Sequence, residues 1–143
     1  MSNNNTLKEI YGLDELKDER YSLVAWYDEL INKTMDEITY ADAARMLRQG
    51  VFVEIAMDKA IKYLTSDPFI GDLYTGELIA SLLEVEDTEL EKRKPDIEKI
   101  IGEAKKNIDS FPWGYPEERE ECMDLIEQLE TKLYRKDRLL KMA

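Results

Sequence analysis

The residues able to do chemistry in this chain are few, and the missing ones narrow the field first. There is no histidine among its 143 residues, which removes the commonest general base, the usual partner of a nucleophile and the commonest transition-metal ligand. The single cysteine, Cys122, permits no intramolecular disulfide and no cysteine metal cluster, and points to a reducing compartment. It falls on the apolar stripe of a helix near the C-terminus among acidic neighbours that disfavour a thiolate, so it reads as a core residue. Acidic pairs such as Glu117 with Glu121, or Glu84 with Asp87, can share a helix face and offer oxygens to a hard cation. No stretch has the spacing of an EF-hand loop, however, and these acids read as solvated charge. Gly71 and Gly76 have the spacing of a phosphate loop but lack the Lys and Ser/Thr that must follow, so they shape a turn. No catalytic, cofactor-binding or metal-ligating residue is expected, and a small carboxylate-dependent enzyme is the one catalytic option left.

The other use of such side chains is recognition. With 32 acidic against 20 basic residues the formal net charge is −12, the wrong sign for displacing counterions from a phosphate backbone, and direct nucleic-acid binding is not expected. An acidic surface suits a basic protein partner, whose capture it both selects and speeds; the plainer reading of the acidity is solubility. Two acidic runs are candidates for that surface: Glu84, Glu86, Asp87 and Glu89, and the helix start at Glu117, Glu118, Glu120 and Glu121. Trp and Tyr are enriched as interface anchors, which singles out Trp26, Tyr74, Trp113 and Tyr115, each of which has packing as its alternative role. Trp113 and Tyr115 join the two acidic runs as the partner-binding candidates.

These residues must be positioned by helices. A chain with 43% hydrophobic and 36% charged residues and only six Gly and four Pro has the profile of a folded helical domain, and its length suits one domain over residues 1–143. The expected architecture is a compact all-α bundle of about five to seven helices around a central helical hairpin. Residues 1–5 are polar and expected to fray. No apolar run approaches the roughly 20 residues needed to span a bilayer, and the N-terminal stretch has no signal-peptide pattern, so a cytoplasmic protein is expected.

Local signals set the helices in order. Thr6 with Glu9 makes a capping box for a short helix that Gly12 can stop. A second helix is expected over Glu19 to Asn32, with Leu23 on its apolar stripe and Trp26 off it. Thr39 and Asp42 open a third, ending before Gly50. A fourth carries Phe52, Val53, Ala56, Met57, Ala60, Ile61 and Leu64 on a broad apolar face and is expected to be the most buried. The turn SDPFIGDLYTG and a helix with Leu78, Ile79, Leu82 and Leu83 complete the hairpin. Residues 85–94 form a linker or short helix, Pro95 begins a helix ending near Asp109, and FPWGYP at 111–116 breaks it. Pro116 starts the last helix, which bears Cys122, Leu125, Ile126, Leu129 and Leu133, with acids early and Lys132, Arg135, Lys136 and Arg138 late. Gln49, Asp72 and Glu77 can cap helix ends or serve recognition, while Arg45 and Arg48 can tie the hairpin to acids such as Asp42 or Asp72.

Within the hairpin, Arg45 and Leu47-Arg48-Gln49, then Asp67-Pro68-Phe69, Gly71-Asp72-Leu73-Tyr74 and Gly76-Glu77-Leu78, resemble the immunity proteins of bacterial contact-dependent growth inhibition (CDI) systems. The resemblance covers roughly residues 20 to 85. It implies a cytoplasmic inhibitor that binds the C-terminal toxin domain of a cognate effector, by occluding or distorting the toxin's site. Such toxins are often nucleases with basic clefts, which an acidic inhibitor would suit. From composition and periodicity alone the alternative is a helical adaptor or regulatory subunit of a multiprotein assembly.

Overall fold

A computed structural model describes residues 5–135; the expectation of fraying at 1–4 and the late basic residues Lys136 and Arg138 lie outside them. Among the described residues there are eight α-helices and one 3-10 turn. They are α1 (Leu7–Tyr11), α2 (Ser22–Ile31), the 3-10 turn (Met35–Glu37), α3 (Tyr40–Gln49), α4 (Val53–Ser66), α5 (Glu77–Leu82), α6 (Asp87–Lys92), α7 (Lys94–Asn107) and α8 (Pro116–Leu133). Among the described residues the only bridge between extended segments is the isolated pair Thr6 and Thr34.

Capping chemistry fixes the boundaries. The Thr6 hydroxyl accepts from the Glu9 amide while the Glu9 carboxylate accepts from the Thr6 amide, and Gly12 ends α1 in the left-handed region at φ 62°. Thr39 and Asp42 make the same reciprocal pair at the start of α3, and Gly50 ends it at φ 67°. Each pair satisfies two amides that the first turn leaves without helical partners. Residues 85–94, left open between linker and helix, contain α6.

Helix α3 is the hub. It packs against both α4 and α5, which touch each other far less; α8 in turn covers α5 and α7, and α4 meets α7. The core runs through all of them, with Ala43, Met46, Ala56, Leu64, Leu78, Leu82, Ile97, Ile126 and Leu129 buried. Four expectations need correction. Helix α2 begins at Ser22 rather than Glu19, because the charged run before it lies in a loop whose Leu16 and Lys17 amides donate to the Asp28 carboxylate at 2.8 Å each. Leu23 is exposed. The most buried helix is α5, in which five of six residues are buried, since α3 and α8 cover it from two sides, whereas α4 turns one face to water and leaves Val53 and Ile61 half-buried. Phe52 is not on the α4 face but precedes it, at φ 47°. Its ring lies between Tyr11 and Tyr27, with centroids 5.5 and 6.3 Å away, and this stack ties α1 and α2 to the head of α4.

Candidate functional site

The segment joining α4 to α5, residues 67–76, is shaped by its own sequence. Pro68 keeps Asp67 extended at φ −151°, and the Asp67 carboxylate accepts from the Phe69 amide at 3.0 Å. Two backbone bonds close the base of the loop, Gly76 N–H to the Phe69 carbonyl at 2.8 Å and Leu78 N–H to the Ile70 carbonyl at 3.2 Å.

The side chain that holds the tip is Glu77. It is only 3% exposed, and its Oε1 accepts from the amides of Asp72 (2.7 Å) and Leu73 (3.0 Å), while Oε2 accepts from Arg48 Nη1 at 3.2 Å. A buried carboxylate is tolerable here because three donors, one of them a cation, replace its hydration. Arg48 therefore pairs with Glu77 rather than with Asp42 or Asp72. Asp42 is taken by Lys33 Nζ at 2.6 Å, the Thr39 amide and Trp26 Nε1. Burial works to raise its pKa, but Lys33, the amide and the indole together hold the carboxyl below its ordinary value. Arg45 lies over the Trp26 ring, 4.8 Å from its centroid, a cation–π contact.

Held this way, the loop tip displays apolar side chains to water: Leu73 is 76% exposed and Tyr74 52%. Leu73 forms a ridge between two hollows of about 350 Å³ each. One is lined by Trp26, Ala41, Asp42, Arg45, Arg48, Asp72 and Glu77; the other by Tyr74, Thr75, Glu118, Glu121, Cys122 and Leu125. Cys122 is a buried lining residue whose thiol is pushed up to about 11 by that burial, so it remains a thiol at neutral pH.

The structure separates the two acidic runs by how much of their charge is already paired. In the first, Asp87 bonds Lys132 at 2.8 Å and also faces Arg135. Glu89 pairs with Lys92 and Arg93 in a network that includes Glu54 and Asp58. Glu84 and Glu86 remain exposed, facing a hollow of about 460 Å³ that Arg48 and Gln49 also line. In the second run Glu120 is taken by Arg119, which also holds Asp109. Glu117, Glu118 and Glu121 face no cation among the described residues and stand at the head of α8.

The aromatic candidates divide as well. Trp113 packs with Phe69 and Phe111, centroids 5.4 and 4.5 Å away, and donates to the Ile108 carbonyl at 2.6 Å. Tyr115 is 68% exposed, just ahead of α8 and its free acids. Leu73, neither acidic nor aromatic, is not among the residues that the sequence marks for recognition.

Comparison with protein families matches residues 9–100 to the CDI immunity proteins. The chain belongs to that family. The matched segment runs from α1 into α7 and holds the Arg48–Glu77 pair, the loop 67–76 and the first acidic run, while the free acids of α8 lie beyond it. The resemblance read from residues 20 to 85 falls inside it. A comparison with curated proteins returned no match. Among the described residues no group of three or more His, Cys, Asp or Glu is placed to hold a metal ion, and no helix is long and apolar enough to cross a membrane.

Proposed function

We propose that this protein binds the C-terminal toxin domain of a cognate CDI effector in the cytoplasm and neutralises it stoichiometrically, without catalysis of its own. The family match over residues 9–100 is the observation that carries this reading. The net charge of −12 and the acids Glu84, Glu86, Glu117, Glu118 and Glu121, which form no ion pair among the described residues, support a basic toxin surface, such as the substrate cleft of a nuclease. Occlusion of that cleft would need no reactive group on the inhibitor.

The test is protection. Cells expressing the toxin domain encoded by the adjacent upstream gene should grow when this chain is co-expressed, and the two purified proteins should form a one-to-one complex in which toxin activity is lost. Growth arrest despite co-expression, with no complex between the purified proteins, would refute it. The isolated chain should show no hydrolytic or nucleolytic turnover; activity that survives stringent purification and disappears with one Asp or Glu substitution would overturn the non-enzymatic assignment.

A further inference from the structure

We propose that the Leu73–Tyr74 ridge is the anchor of the complex, entering an apolar pocket on the toxin whose rim carries Lys or Arg facing Glu118 and Glu121. This deepens the neutralisation reading and rests on it.

Three observations converge on the ridge. Leu73 is the most exposed large apolar side chain among the described residues, at 76%, with Tyr74 beside it. Leu73 keeps most of its surface in water and Tyr74 about half, and both would gain from burial in a partner.

The backbone beneath them is tied down by hydrogen bonds within the chain. Glu77 accepts from the amides of Asp72 and Leu73, Arg48 holds Glu77, and two further backbone bonds close the loop. Binding therefore would not have to order this loop, a cost that commonly erodes interface affinity.

The two flanks of the ridge differ in charge: the hollow on the α3 side contains Arg45 and Arg48 beside Asp42, Asp72 and Glu77, so it is the α8 side that favours a basic partner. The hollow on the α8 side of the ridge is lined by two carboxylates, Glu118 and Glu121, and by no basic residue. An apolar anchor beside uncompensated acids fits a basic protein surface, with the anchor setting the lifetime of the complex and the acids its rate of formation.

The test uses an inactive mutant of the toxin domain encoded by the adjacent upstream gene, immobilised, with the full chain in solution. The double variant Leu73→Ala, Tyr74→Ala should dissociate at least about 30-fold faster than wild type, at low and high salt alike, as expected for loss of two anchors. The variant Glu118→Gln, Glu121→Gln should instead associate about 3-fold or more slowly at low salt and nearly normally where salt screens the charges. Both variants should melt with the wild type, since the altered side chains lie at the surface. A wild-type dissociation rate for the Leu73 and Tyr74 variant would overturn the ridge while leaving neutralisation intact. Failure of the wild-type chain to bind the toxin domain would overturn both.

Discussion

Replacing Glu77 by Gln tests how the loop is held. The Gln carbonyl can still accept from the Asp72 and Leu73 amides, but its NH2 group then meets Arg48 Nη1, donor against donor. Hydrogen bonds to a charged group contribute roughly 1.5–3 kcal/mol against about 1 for neutral ones, so two bonds together lose about 1–4 kcal/mol. The ion pair adds only about 0.5–1 kcal/mol, because the Arg48 side chain is 36% exposed and water takes over part of its solvation. The sum, about 1.5–5 kcal/mol, corresponds to a Tm lowered by roughly 5–15 °C for a domain of this size. Thermal unfolding followed by circular dichroism at pH 7 measures it. Amide hydrogen exchange supplies the local readout, since the Asp72 and Leu73 amides should lose protection more than the rest of the chain. A Tm within about 1 °C of wild type, with both amides still protected, would refute the reasoning.

Leu78→Ala, at a fully buried position on α5, should cost roughly 2–5 kcal/mol, read as a lower urea midpoint; a cost under about 1 kcal/mol would contradict the packing described. Acid should destabilise the fold through carboxyls held below their ordinary values. Glu54 is lowered to about 2 by hydrogen bonds from Lys92 and Arg93. Asp42 is lowered by Lys33, the Thr39 amide and Trp26 against the opposing effect of burial. Such groups stabilise the native state above the unfolded carboxylate range near 4 and lose that contribution as pH falls through the lower folded values. The urea midpoint should therefore drop from about pH 4.5 toward pH 2, and less steeply in Asp42→Asn; a flat midpoint would contradict this. Reversing Glu117, Glu118 and Glu121 together should slow association with the toxin about ten-fold or more at low ionic strength and less at high salt. Stopped-flow mixing would measure it, with reversal of Glu84 and Glu86 as the comparison, and unchanged rates in both would exclude electrostatic capture.

Most of the scaffold could be read from local chemistry. Thr6 with Glu9 and Gly12, and Thr39 with Asp42 and Gly50, are complete within one helix, so their residue types alone determine the ends. Pro95 and Pro116 mark helix starts for the same reason. What could not be read depends on residues distant in the chain. Phe52 has the spacing of a helical core residue, yet it stands ahead of α4 in a left-handed conformation with its ring against Tyr11 and Tyr27, which other helices contribute. Arg48 had several acids within plausible reach, and the choice of Glu77 over Asp72 follows from how α3 and α5 cross. Whether an acid is free or paired is likewise tertiary: Asp87 meets Lys132 across 45 positions of sequence, while Glu118, in an equally acidic run, meets no cation among the described residues. The exposure of Leu73 could not be read either, since a leucine between Asp and Tyr carries no sign of which way it faces.

The loop 67–76 divides into a frame closed to change and a tip open to it. A Cβ at Gly71 would overlap the Tyr74 carbonyl oxygen, and one at Gly76, where φ is 87°, would press to 3.2 Å from the Cys122 sulfur; Glu77 is committed by three hydrogen bonds. Leu73 and Tyr74 have no such obligation, because their side chains face water and their backbone is fixed from below. Substitutions at the tip can therefore accumulate with little loss of stability, while a substitution in the frame is exposed at once to selection against misfolding. A surface built this way can follow a changing partner one residue at a time, and an engineered library confined to residues 73 and 74 should consist mostly of folded proteins.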